Sequence, residues 1–231
     1  GVPGAGKTEV YFQAVAETLK KGQQVLVLLP EIALSAQWLE RFRRRFGALP
    51  AEWHSDLTHA QRRATWRAVS EGRTPVIVGA RSALFLPFAD LGLIIVDEEH
   101  ENSYKQDTAP RYHGRDLAVL RGHFEQCAVL LGSATPSLES FHNTETGKYE
   151  LLTLEERADG QSLPIIRIID MRIEGKKFKG APTILSDPLR GHMEKKLNEG
   201  EQVILFLNRR GFSRSLQCGN CGHVCECRHC A

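Results

Sequence analysis

Six short runs of Val, Ile and Leu limit the fold of this chain more than any other feature. They are Val25–Leu29, Val76–Val78, Leu93–Val96, Ala128–Leu131, Ile165–Ile169 and Val203–Leu207. None alternates regularly with polar residues. Each therefore reads as a strand buried on both faces, the pattern of a parallel sheet. Helical periodicity fills the intervals at Thr8–Lys20, Ser35–Phe46, His59–Ser70, Gly114–His123, Ser137–His142 and Asp187–Asn198. Lys21-Gly22 closes the first of these with a C-terminal cap signal. Strand and helix in alternation predict an α/β doubly wound parallel sheet.

Two short segments carry phosphate chemistry. Gly1-Val2-Pro3-Gly4-Ala5-Gly6-Lys7-Thr8 fits the pattern G-x-x-x-x-G-K-[ST] in full. Its glycines let successive backbone N–H groups turn toward phosphate oxygens, and the helix that follows adds a positive end. Lys7 suits the β and γ phosphates of ATP, and the Thr8 hydroxyl suits Mg²⁺. All of Gly1, Val2, Pro3, Gly4, Ala5, Gly6, Lys7 and Thr8 are candidate nucleotide contacts. Such a loop normally follows a buried strand, so the sequence reads as an internal segment of a longer protein. The second segment is Asp97-Glu98-Glu99-His100, directly after the apolar run that ends at Val96. Open α/β sheets place their ligands at the carboxyl ends of strands. Asp97 suits the Mg²⁺ contact, and Glu98 suits the positioning of an attacking water. Glu99 and His100 read equally well as the start of a solvated loop. Ser133-Ala134-Thr135 ends the next apolar run, where small hydroxyls can bond the acidic residues or cap the helix that follows.

Composition removes several classes. Apolar residues make up 42% and charged residues 25%, an ordinary globular balance. Net charge is +2, so bulk basicity does not mark a nucleic-acid binder, although a local basic face remains open. No apolar stretch approaches the ~20 residues needed to span a bilayer, so no membrane partner is expected. Five of the 6 cysteines fall between Cys218 and Cys230. Cys218-x-x-Cys221 and Cys227-x-x-Cys230, with 5 residues between the pairs, have zinc-knuckle spacing. A metal site in a reducing cytoplasm is the expectation, with a redox dithiol as the weaker alternative. Cys225 is left as a spare thiol or a substitute ligand. Cys127 reads as a small buried hydrophobe.

Taken in order, Gly6-Lys7-Thr8, Pro30–Leu34, Val78–Leu84, Asp97–His100 and Ser133–Thr135 resemble the first motor lobe of superfamily-two helicases. Pro30–Ser35, Gly79–Phe88, Asp97–His100, Tyr104–Gln106, Pro110–Asp116, Asn208–Gly211 and the cysteine cluster are similar to one family, the bacterial replication-restart helicases called primosomal protein N′ or PriA. The resemblance covers essentially the whole chain. It implies a RecA-like phosphate-loop lobe, the start of a second lobe, and a DEAH-like box. The implied activity is a DNA-dependent ATPase unwinding 3′→5′ at abandoned forks, in the cytoplasm of a bacterium. The implied partners are forked or single-stranded DNA, primosome proteins and single-stranded DNA-binding protein. Lys7, Asp97 and Glu98 take the catalytic positions, with Thr8 and Asp97 on Mg²⁺. Two zinc ions are implied for the longer protein. Cys218 and Cys221 would supply half of one site, and Cys227 and Cys230 half of the other. Tyr104, Lys105, Arg111, Tyr112 and His113 lie in an aromatic-rich loop that would couple DNA contact to hydrolysis, since aromatics stack on bases while cations neutralise phosphates. The alternatives are a phosphate-loop kinase or GTPase, and a non-catalytic zinc module with a vestigial nucleotide site.

Expected boundaries are a motor lobe over 1–154, a connection over 155–181, the start of a second lobe over 182–216 and a zinc region over 217–231. Phosphoryl-transfer motors complete their site with an arginine from a second lobe, so the segment alone is expected to be a weak ATPase. Arg41, Arg43, Arg44 and Arg45 surround Phe42 and Phe46 at i, i+4 spacing, which reads as a buried stripe under a solvated basic face.

Overall fold

In an all-parallel sheet, successive side chains point to opposite faces, and each face needs its own cover of helices. The computed structural model describes residues 5–30, 36–155, 160, 165–171, 185–206, 216–217 and 224–225. The chain divides into two units, Gly1–Leu163 and Pro164–Ala231. The first unit runs α1 (Lys7–Lys20), β1 (Gln24–Leu28), α2 (Ala36–Phe46), β2 (Ala51–Trp53), α3 (His59–Ser70), β3 (Val76–Gly79) and β4 (Leu91–Val96). It continues with β5 (Lys105–Gln106), β6 (Tyr112–His113), α4 (Gly114–Glu125), β7 (Ala128–Leu131) and α5 (Leu138–Glu145). Short 3-10 turns occupy Arg81–Phe85 and Asn102–Tyr104. Five strands form one sheet in the order β2-β3-β1-β4-β7, all parallel. β5 and β6 form a separate antiparallel pair.

The two-residue period sorts the core. Val25 and Val27, with Val76, Val78, Leu93 and Ile95, meet Phe12, Val15, Trp38 and Phe42 from α1 and α2. Leu26 and Leu28, with Ile77, Ile94 and Val96, meet Val69 of α3, Ala118 of α4 and the Ala83–Leu86 turn. Burying each large aliphatic or aromatic side chain contributes about 1.5–3 kcal/mol. The aromatic stripe of α2 behaves as the i, i+4 spacing predicts. Phe42 is buried with Phe46 beside it, while Arg41 pairs with Glu9 at 2.7 Å and Arg43 and Arg44 pair with Glu40. Gly22, at φ 76, follows α1 as expected for a chain leaving a helix.

In the second unit, α6 (Asp187–Asn198) is capped by the Ser186 hydroxyl, which accepts from the Leu189 amide. β8 (Leu216–Gln217) pairs antiparallel with β9 (Val224–Cys225). The strands expected at Ile165–Ile169 and Val203–Leu207 do not form within the described residues. Residues 165–170 and 201–206 carry no strand, and Ile165, Ile168 and Ile204 are 87%, 95% and 94% exposed. An apolar run states a need for burial but not which neighbour supplies it, and these runs have no sheet neighbour among the described residues. Leu207 lies outside them.

Candidate nucleotide site

The site lies at the carboxyl ends of β1, β4 and β7, where α1 begins. Gly6 takes a left-handed conformation at φ 84, and among the described residues no side chain caps the start of α1. The positive end of a helix attracts an anion. From the first turn of α1, Lys7 Nζ reaches Glu98 Oε1 at 2.7 Å. One turn later the Tyr11 hydroxyl donates to Asp97 Oδ1 at 2.9 Å. The same oxygen accepts the Glu98 amide at 3.1 Å. Thr8 sits half-buried in the same turn as Lys7.

β4 ends in a tight turn that aims the acidic residues in different directions. The Asp97 amide donates to Leu28 O at 3.0 Å, extending the ladder one residue past β4. Glu98 then adopts φ 45, the left-handed region that a side chain rarely occupies. Burial pushes the Asp97 carboxyl above its ordinary value, and the neighbouring Glu98 charge adds to this. The Tyr11 hydroxyl, Lys7 and the Glu98 amide pull the other way. Burial and the Asp97 charge push the Tyr11 phenol well up, so it stays a proton donor. Gly132, just after β7, leaves room for that phenol: a Cβ there would lie 1.5 Å from Tyr11 Oη.

The last two acidic-box residues are not the start of a solvated loop. Glu99 is 1% exposed. Its carboxylate accepts from the Ser137 amide at 2.7 Å, the Ser137 hydroxyl at 3.0 Å, the Ser140 hydroxyl at 2.9 Å and Arg115 Nη1 at 3.3 Å. Burial pushes this carboxyl up, but those donors outweigh it and hold the group below its ordinary value. Glu99 thus joins β4 to the start of α4 and the start of α5. His100 Nδ1 shares a hydrogen bond with Ser133 Oγ at 2.7 Å, and His100 Nε2 lies 3.3 Å from Thr135 Oγ1. The hydroxyls after β7 do bond the acidic box, while Ser137 caps α5 through the Ser140 amide.

The aromatic-rich segment is a hairpin, β5–β6, and not an irregular loop. Tyr104 is 1% exposed, so its ring has no free face for stacking on a base. The ring belongs to the core cluster of Leu26, Leu28, Ile94 and Val96, and its hydroxyl donates to backbone carbonyls. Tyr112 is half-buried with its ring edge-on to Phe85 at 5.4 Å. Burial and the Arg115 charge lower the pKa of His113, whose Nδ1 is buried without a partner. Lys105 and Arg111 are exposed, the first in β5 and the second in the turn before β6.

A family model described as DEAD/DEAH box helicase matches residues 1–144. The chain belongs to the DEAD/DEAH box helicase family. Curated relatives include the replication restart protein PriA of Rickettsia typhi, 49% identical across all of this chain and 35% of that protein. Those of Bacillus subtilis and Haemophilus influenzae are 44% and 46% identical, again across all of this chain, and 28% and 31% of their own lengths are covered. The chain therefore spans about a third of the length of the relatives it matches, and the resemblance read from the motifs is borne out over its whole length. Within this helicase fold, Gly1, Val2, Pro3 and Gly4 lie outside the described residues, as do Cys218, Cys221, Cys227 and Cys230. Among the described residues no cluster of three or more His, Cys, Asp or Glu could hold a metal ion, and no helix is long and apolar enough to cross a membrane. Cys127 packs half-buried against the cluster of Leu26, Leu28 and Ile94, close to its expected role. Sequence reasoning missed Tyr11 and Ser140, and it did not foresee that Arg115 would meet Glu99. Tyr11 was reachable, because it stands four residues after Lys7 and so shares its helix face.

Proposed function

We propose that this chain provides the ATP-binding motor lobe, RecA-like in build, and the start of the second lobe of a replication-restart DNA helicase. Its activity is ATP-dependent 3′→5′ unwinding at stalled forks in the bacterial cytoplasm. The reading is carried by one observation: Lys7 and Glu98, 91 positions apart in sequence, meet at 2.7 Å. The donor set fits Mg²⁺-ATP. It offers an ammonium, a helix end, a hydroxyl at Thr8 and hard carboxylate oxygens at Asp97 and Glu98. When bound, Mg²⁺ would neutralise charge on the transferring phosphate. Asp97 and Thr8 would hold the ion, with Tyr11 and the Glu98 amide fixing one Asp97 oxygen. Lys7 would exchange its Glu98 partner for a phosphate oxygen, which frees Glu98 to orient a water and accept its proton. His100 would pass the state of this turn to Ser133 and Thr135.

Lys105, Arg111 and Tyr112 on the hairpin and its turn suit contact with forked or single-stranded DNA. Cys218, Cys221, Cys227 and Cys230 suit shared zinc sites in the longer protein, with β8 and β9 on either side of the first pair in sequence. Primosome proteins and single-stranded DNA-binding protein are the partners this reading implies. Lys7→Ala in the full-length protein tests it. ATP affinity is expected to fall about 10–150-fold, the scale of one hydrogen bond to a charged group. Unchanged affinity refutes the site.

A further inference from the structure

Tyr104 is a buried phenol whose ring contributes to the core and whose hydroxyl has two acceptors near the acidic box. It donates toward Asp97 O at 2.7 Å and Leu28 O at 3.1 Å. Those carbonyls belong to the ends of β4 and β1, and Leu28 O also receives the Asp97 amide at 3.0 Å. The phenol therefore closes a small ring of bonds around the backbone of Asp97. The backbone on each side of Tyr104 is held in turn. Arg81, at the start of the turn after β3, donates through Nη1 to Ser103 O at 2.7 Å and also to Lys105 O. Gly114 lets this part of the chain pack closely, since a Cβ there would lie 3.3 Å from both Tyr104 Cδ1 and Arg81 Cβ. Burial, followed by the charges of Asp97, Glu98, Glu101 and Glu99, pushes the phenol well up, so it remains a donor. Tyr104 is thus tied to the ends of two adjacent strands, β1 and β4, with Arg81 from the turn after β3 holding the carbonyls on either side of it, and it is also the residue from which β5 departs.

We propose that Tyr104 is a positioning residue for Asp97. Its hydroxyl, steadied by Arg81, sets the backbone of Asp97 so that the carboxylate presents its free oxygen correctly to Mg²⁺. This rests on the nucleotide-site reading above. It assigns Tyr104 to the metal side of the site and leaves DNA contact to Lys105, Arg111 and Tyr112. Outer-sphere contacts of this kind orient a ligating carboxylate without touching the ion.

Tyr104→Phe removes the hydroxyl and keeps the ring. The test measures ATP binding by the full-length protein at equilibrium, with Mg²⁺ and with a chelator, so no turnover is needed. Tyr104→Phe is expected to lose roughly tenfold or more of the tightening that Mg²⁺ gives, while affinity without Mg²⁺ stays within about twofold. Arg81→Lys, a change at a half-buried site, is expected to shift the Mg²⁺ dependence in the same direction, and it carries the test if Tyr104→Phe does not fold. A Mg²⁺ dependence equal to the parent's in the folded variant overturns the proposal. Lys7→Ala run alongside separates the two ideas. If Lys7→Ala binds ATP like the parent, the nucleotide site itself is refuted. If Lys7→Ala weakens binding and Tyr104→Phe leaves the Mg²⁺ dependence unmoved, only the positioning role is refuted.

Discussion

Gly132→Ala is the most severe small change this site offers. The added methyl carbon would lie 1.5 Å from Tyr11 Oη, 2.7 Å from Cζ and 3.2 Å from Cε1. Ordinary contact begins near 3.4 Å, so the phenol must retreat by about 2 Å. It cannot do so freely, because Tyr11 is 5% exposed and packed in the core cluster with Phe12, Val27 and Ile95. Overpacking of this kind costs about 1–3 kcal/mol. The retreat also breaks the 2.9 Å bond to Asp97. Losing a hydrogen bond to a charged group costs about 1.5–3 kcal/mol more. The expected destabilisation is therefore about 2.5–6 kcal/mol, confined to this lobe. Native-state amide exchange in the full-length protein reads it locally, through the slowest amides of β4 and β7. A second arm sharpens the test. In a Tyr11→Phe background the closest clash and the bond are both gone, so Gly132→Ala is expected to cost at least about 1 kcal/mol less. Exchange unchanged by Gly132→Ala, or the same penalty in both backgrounds, refutes the reasoning.

Glu99→Ala is expected to destabilise the lobe by about 3 kcal/mol, the low end for breaking a buried pair, because Arg115 keeps Asp116 at 2.8 Å. Thermal unfolding checks this. The Glu99 carboxyl sits below its ordinary value of 4.5 in the folded state, so its contribution is present above about pH 4.5 and is lost as pH falls through the lower folded value. Glu99→Gln is expected to flatten that acid limb, and an identical pH profile counts against the assignment. For the cysteine region, replacing Cys218 and Cys221 by Ser in the full-length protein is expected to reduce bound zinc to about half, and undiminished zinc by metal analysis refutes the shared-site reading.

The central sheet was legible because parallel strands covered by helices are built mostly of Val, Ile and Leu. β1, β3, β4 and β7 all fall on the Val, Ile and Leu runs, within one or two residues. β2 escaped for the opposite reason. It is a three-residue edge strand, half-buried throughout, and needs no apolar run. The hairpin β5–β6 escaped because two-residue strands leave no periodicity to detect. Lys7, Asp97 and Glu98 were legible from local patterns tied to phosphate chemistry. Glu99 and Tyr104 were not, because their surroundings come from α4, α5 and the ends of β1 and β4, and no local pattern in sequence reports such neighbours.

The left-handed backbone at Glu98 sets folding and chemistry at odds. A residue with a Cβ held there forfeits about 1–2 kcal/mol that glycine would keep. Glycine would relax the turn and leave Lys7 facing no carboxylate at that position. The lobe is thus less stable than its own backbone geometry permits, and the deficit falls on the residue whose side chain meets the ammonium.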